Sequence, residues 1–292
     1  MVDLNGLWRR VLAALLLCAT AGLVSPAHGA ALAMITDLQG EAASKDNGPP
    51  RALRILAELE AGTVVRLGPG ATLVALYLET GDEFVLKGPA TIIFAPDSPE
   101  VQEGAKPQRR TLALGKDGRA IRIRPVGVAQ GGMVMRSVRP DVGVAALEPR
   151  RTTTMDLRPV FRWSGPLPDL AYRFELRDDA GTTLRDAEVR GTSIALPAGE
   201  PLRPGATYVW RVSTTTPDGR KHSDSAEFAI APAELRAEAE ALRPSHSAPL
   251  SSSIAYAAWL DQMDLRDEAR KYWREASQQR PDDPVLRRLA AQ

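Results

Sequence analysis

The spacing of apolar positions changes along the chain, and each change predicts a different kind of element. From Gly62 to Pro96 the sequence reads GTVVRLGPGATLVALYLETGDEFVLKGPATIIFAP. Short runs of Val, Leu, Ile, Tyr and Phe are cut at Gly68-Pro69-Gly70, Glu79-Thr80-Gly81-Asp82 and Lys87-Gly88-Pro89. β-Branched and aromatic residues suit a pleated surface, and Gly, Pro and Asp supply the turns between strands. Runs this short predict an antiparallel meander or small barrel rather than parallel strands joined by helices.

Between residues 153 and 231 the period is two. Pro159-Val160-Phe161-Arg162-Trp163 and Tyr172-Arg173-Phe174-Glu175-Leu176 alternate, and Asp178-Asp179-Ala180-Gly181 turns the second run. Further on, Tyr208, Trp210 and Val212 share one face while Val209 and Arg211 take the other. Asp218-Gly219 predicts a last hairpin and Glu227–Ile230 a last strand. Strands with turns every 8–12 residues and an early Trp predict a β-sandwich of immunoglobulin type. Pro159…Trp163 and Leu202-x-Pro204-Gly205-x-x-Tyr208-x-x-x-Val212 resemble fibronectin type III modules. In such modules Trp163 and Trp210 are expected in the core rather than stacked on a sugar.

After Pro232 the period becomes helical. Leu235, Ala239 and Leu242 repeat until Pro244. Ser251–Ser253 are expected to cap a second helix over Ile254–Leu260. Asp264 is expected to cap a third, with Leu265, Ala269, Tyr272, Trp273 and Ala276 inward, and Asp283-Pro284 starts a fourth. Ala257, Ala269, Trp273, Ala276 and Pro281 are spaced as in a tetratricopeptide repeat, which this segment resembles, although Ser253 stands where such repeats usually carry a Trp. A lone repeat leaves an apolar stripe uncovered. Leu265, Tyr272, Trp273, Leu286 and Leu289 are therefore the expected partner-binding residues, the tail being a docking surface or a packed cap.

The start of the chain has a different pattern. Arg9 and Arg10 precede an apolar run from Val11 to Val24, and Ala27-His28-Gly29 follows with small residues at the exit. That is the layout of an export signal over residues 1–29, cleaved near Gly29, and the run is short for a stable span. Cys18 is the one cysteine and lies inside the signal, so the mature chain is expected to hold neither disulfide nor thiol nucleophile.

A second resemblance joins these two observations. The first strand ending at Gly40 is followed by Ala61-Gly62-Thr63-Val64-Val65, Gly70-Ala71-Thr72-Leu73 and Leu86-Lys87-Gly88-Pro89-Ala90. This order resembles the FecR-type domain of bacterial envelope proteins and covers roughly a quarter of the chain. FecR proteins proper run through a membrane helix to a cytoplasmic regulatory segment. Here only ten residues precede the apolar run, so the resemblance implies fold and compartment, not signalling.

The expected architecture is thus mainly β with a helical C-terminus. Its parts are a signal (1–29), a FecR-like β meander or barrel (30–98), a Pro-interrupted basic segment (99–152), a fibronectin III-like sandwich (153–231) and helical hairpins (232–292). Within 99–152, strands are read at Thr111–Leu114, Ala120–Arg124 and Met133–Val138.

Composition narrows the function. Apolar content of 44% and charged content of 25% are those of a globular protein. A net charge of +1 exerts no general pull on nucleic acid, and none is expected as a partner. Charge is uneven, with eleven Lys/Arg against six Asp/Glu over 97–152 and five against eight over 30–96. Ile121 and Ile123 alternate with Arg122 and Arg124, as on a solvated strand face; Arg109, Arg110, Arg122 and Arg124 are the alternative binding residues for an anionic envelope polymer.

Catalytic patterns are weak. His222 falls in a polar hairpin and His246 in a Ser/Pro linker, and no His/Cys pair has zinc spacing. Gly68-x-Gly70 and Gly115-Lys116 lack the rest of a phosphate loop. Glu79, Asp82 and Glu83 sit in a turn where acids are common, and glycan hydrolysis is the least favoured reading. No cofactor or metal is expected. The reading is a non-enzymatic, periplasmic envelope protein that contacts an envelope protein partner or cell-wall polymer, without a stable membrane span after cleavage.

Overall fold

The computed structural model describes residues 31–45, 50–111, 143–167 and 169–291. The expected export signal, the strands read at 120–124 and 133–138, Arg122 and Arg124 lie outside these residues. No helix among them is long and apolar enough to cross a membrane.

The first β unit consists of two open five-stranded sheets. One has β1 (Ala31–Gln39), β4 (Glu58–Glu60), β6 (Thr72–Tyr77), β7 (Asp82–Lys87) and β10 (Gln108–Thr111) in the order β10-β7-β6-β1-β4. The other has β2 (Ala42–Ser44), β3 (Arg51–Ala52), β5 (Val64–Leu67), β8 (Ala90–Phe94) and β9 (Pro99–Glu103) in the order β3-β2-β5-β8-β9. Of the meander and small-barrel alternatives no closed barrel is seen: among the described residues both sheets keep two edges. The expected boundary at residue 98 moves as well: β9 pairs with β8, and β10 pairs with β7. Of the strand read at Thr111–Leu114, Thr111 is described and ends β10.

Alternation assigns the faces. Ala33, Ile35, Leu73, Ala75 and Tyr77 point into the core between the sheets. Met34, Leu76 and Leu78 point the other way, into a second core built with the helices. The sheet containing β6 is therefore a middle layer. That is why β6 reads as an unbroken apolar run, buried on both faces. Gly88 marks where the sheets draw together: a Cβ there would lie 2.0 Å from the Gly68 carbonyl oxygen.

The second β unit is a sandwich. β11 (Ala145–Glu148), β13 (Val160–Ser164) and β16 (Ser193–Ala195) form one sheet. It faces β12 (Thr153–Thr154), β18 (Lys221–Ile230), β17 (Thr207–Thr215), β14 (Ala171–Asp178) and β15 (Thr183–Arg190), in that order. Phe161, Trp163, Phe174, Trp210 and Phe228 fill the space between the sheets, with Trp210 ring centroids 5.4 Å from Phe161 and 6.0 Å from Phe174. The Trp210 indole N–H donates to the Pro149 carbonyl at 2.8 Å. Val144 and Ala146 belong to this core, so the sandwich begins before the expected residue 153. β15 escaped the sequence reading because it is an edge strand with charges on both faces (TLRDAEVR), a composition that discourages edge-to-edge association.

Four helices follow: α1 (Ala233–Leu242), α2 (Leu250–Gln262), α3 (Arg266–Gln279) and α4 (Pro284–Ala290). α2 is apolar nearly all round and is buried from Leu250 to Leu260 except at Ser253. Its first turn contains Ser251 and Ser252 rather than being capped by them, and Pro249 precedes it. Asp264 does not cap α3. It takes the left-handed position after α2 (φ 59°), with Leu265 N–H donating to the Leu260 carbonyl at 2.9 Å and Asp264 N–H to the Asp261 carbonyl at 3.1 Å. Those paired bonds are the usual helix-ending motif, in which Gly is the common left-handed residue. Asp283 does cap α4, accepting from Val285 and Leu286 N–H at 2.8 and 3.0 Å.

Candidate interaction surface

The outer face of the larger sandwich sheet carries a groove. Thr207, Val209, Arg211, Ser213 and Thr215 of β17 point outward, beside Ser223, Ser225, Glu227 and Ala229 of β18. Small side chains here leave a trough between two higher walls. One wall is β14–β15, where Arg173 grips Asp186 through two bonds of 3.0 and 2.5 Å and Arg177 pairs with Glu175 at 2.6 Å. The other wall is the 150–153 loop.

Three depressions of about 770, 160 and 600 Å³ run into one another, sharing first Arg211 and then Val209 and Ser225. Together they follow β17, whose nine residues span roughly 30 Å at strand rise. At the far end the groove meets the helices, where Arg151 (φ 49°) and Asp264, two left-handed non-glycine residues, both line it. Arg151, Arg211 and Lys221 line the groove without an ion pair among the described residues, whereas Arg150 pairs with Asp224 at 2.9 Å.

Asp224 closes the sandwich beside this groove. Burial opposes its ionisation, but the Ala146 N–H (3.0 Å), the Ser225 N–H (2.9 Å) and Arg150 outweigh it and hold the carboxyl below its ordinary range. The Ser225 N–H is thereby occupied at the sheet edge. Where hairpin and sandwich meet, Thr153 N–H donates to the Asp264 carbonyl at 3.1 Å and Arg270 reaches Glu148 at 3.3 Å. Burial raises the carboxyls of Asp261 and Asp267 there, against the Trp273 indole on the first (2.8 Å) and Arg270 on the second.

The residues expected to bind a partner are placed differently. Leu265, Trp273 and Leu286 are 0%, 2% and 0% exposed, packed in one core with Met34, Leu76, Leu78 and Met155 of the β units. Tyr272 and Leu289 are half-buried against the same core. As an exposed docking stripe these five are corrected: the chain covers the stripe itself. Tyr272 meets Tyr256 edge-on at 4.9 Å, and the Tyr256 hydroxyl donates to the Ala239 carbonyl at 2.8 Å.

Of the polymer-binding alternative, Arg109 pairs with Asp82 at 2.7 Å and Arg110 with buried Glu83. The structure thus brings Arg109 and Arg110 to neighbouring carboxylates rather than to an open basic face. The two histidines fall apart, His222 beside the groove in β18 and His246 in the turn between α1 and α2.

The groove residues were missed because they come from four strands and a loop. The signal available was the row of small polar residues, Ser213, Ser223 and Ser225, on the outward register of strands whose inward register is aromatic. No family model matches the chain, and no curated protein matches it. Among solved structures, it aligns with a two-domain fibronectin type III segment of chicken tenascin at 14% identity, over 69% of this chain and 86% of that one, with a TM-score of 0.22. That score is too low to support a shared overall fold, and the sandwich is assigned from its own strand order.

Proposed function

We propose that the protein is a non-enzymatic, exported envelope scaffold that holds an envelope protein partner in the groove along β17 and β18. The observation that carries this reading is the bracing of the two β units by the helices. One continuous core contains Met34 and Leu76 of the first unit, Met155 and Ala231 of the sandwich, and all four helices. Polar ties support it: Arg280 grips Asp37 at 3.0 and 2.7 Å, and the Arg236 side chain donates to the Met155 carbonyl at 3.0 Å. A braced body presents its open face in a fixed orientation, which lowers the ordering cost of binding. The FecR-type resemblance of residues 30–98 and the tetratricopeptide-like spacing of the tail belong to this reading, as does the export signal.

The test is photo-crosslinking in intact cells of the native host. A photoreactive residue at Val209 or Ser213 is expected to capture a defined protein, while one at exposed Glu234 on α1 is not. Capture from Glu234 alone would place the contact elsewhere and refute the reading. A second reading is favoured by the three groove cations that have no ion pair among the described residues: an anionic cell-wall polymer in the same groove. Salt-sensitive retention on isolated cell wall, lost in the combined Arg151→Ala, Arg211→Ala, Lys221→Ala variant, would select it.

A further inference from the structure

We propose that the helical tail and strand β10 form one latch on the first β unit, releasing together and uncovering the apolar outer face of its middle sheet. The face in question bears Met34, Leu76 and Leu78, with Ile55 beside them, and the tail is what covers it. The coupling runs through one side chain. Glu83 of β7 is completely buried, and its cation among the described residues is Arg110 of β10. The same guanidinium donates through its second nitrogen to the Ser251 hydroxyl of α2 at 2.9 Å. Thr36 of β1 completes the cluster by donating to Glu83 at 3.2 Å.

With α2 seated, the Glu83 carboxylate is fully buried and the partly exposed Arg110 guanidinium has acceptors on two elements. With α2 lifted, Ser251 leaves and water reaches Glu83 as well, and the pair then contributes as little as an ordinary surface ion pair. β10 has four residues and, among the described residues, pairs with one strand, β7. Loss of β10 in turn removes the cation from Glu83 beneath α2, which disfavours reseating the helix over an uncompensated charge. Each element therefore stabilises the other.

The closed latch also contains a weakness. The Ser252 hydroxyl of α2 is fully buried and has no hydrogen-bond partner among the described residues, a cost that exists only while the tail is seated. Opposing it, Arg280 at the end of α3 holds Asp37 of β1. A buried orphan set against a peripheral charged clasp is the arrangement of an interface that opens locally.

Native-state hydrogen exchange on the whole chain tests this. In Arg280→Gln, the amides of α2 and those of β10 are expected to exchange faster by the same factor, about tenfold for a lost bidentate pair. Amides of β17 are expected to keep their wild-type rates. Ser252→Ala is expected to slow α2 and β10 together. In a Ser251→Ala background, Arg280→Gln is expected to speed α2 while leaving β10 unchanged. The proposal is overturned if β10 stays unchanged in Arg280→Gln alone, if β17 accelerates equally, or if Ser252→Ala fails to slow both elements.

Discussion

Replacing Trp210 tests the sandwich core. Its side chain is fully buried, with Phe161, Phe174 and Trp163 rings 5.4, 6.0 and 6.4 Å away and its indole bonded to the Pro149 carbonyl. Trp210→Ala empties one of the two tryptophan sites of the core, which costs about 3–5 kcal/mol. Trp210→Phe keeps most of the volume and leaves the Pro149 carbonyl without its donor, which costs about 1–3 kcal/mol. The assay is urea unfolding of the purified protein, followed by far-UV circular dichroism, with the midpoint compared at constant slope. The expected order is wild type, then Phe, then Ala. An Ala variant within about 1 kcal/mol of wild type would refute the reasoning, since it would mean that the aromatic cluster does not support the sandwich.

Three further outcomes follow from charges and backbone. Asp224 has a lowered folded pKa, so its contribution is present above the ordinary carboxylate range and lost as pH falls through the lowered value. The melting temperature of Asp224→Asn is therefore expected to lie below wild type at pH 7 and to converge with it only in acid below the lowered value; a gap that persists there would count against the assignment. Asp261 has a raised folded pKa, mainly through burial, so its ionised form costs stability at neutral pH and stability rises as pH falls through the raised value. Asp261→Asn, which can still accept from Trp273, is expected to melt higher at pH 7 and equal to wild type in acid; a lower melting point at pH 7 would contradict this. Asp264 holds a left-handed backbone with exposed charge contacts, so Asp264→Gly is expected to melt above Asp264→Ala by a few degrees, and the reverse order would refute the helix-ending role.

What was legible in the sequence was what short-range periodicity encodes. Tyr208, Trp210 and Val212 announced their inward face because a strand has period two, and Ala269, Trp273 and Ala276 announced theirs at helical spacing. Edges were harder. β15 carries Arg185, Asp186, Glu188 and Arg190 because an edge must repel other edges, and that removes the apolar alternation by which strands are recognised. Asp264 misled because an acid before a helix looks like a cap, while its left-handed φ depends on how α2 ends. The apolar stripe of the tail was visible, but its cover was not. Arg280 and Asp37 are 243 residues apart, and no local pattern links them. The groove likewise exists only once β14, β15, β17, β18 and the 150–153 loop lie side by side.

The central claim is that the tail spends its apolar stripe on its own chain, which leaves the sandwich groove as the open face. Carbene footprinting of the purified protein, with no partner present, addresses this residue by residue. The account expects Leu265, Trp273 and Leu286 to resist labelling while Val209 and Met263, 40% and 36% exposed, are labelled. Labelling of Trp273 and Leu286 to the extent seen at Met263 would contradict it, since the stripe would then be open to a partner.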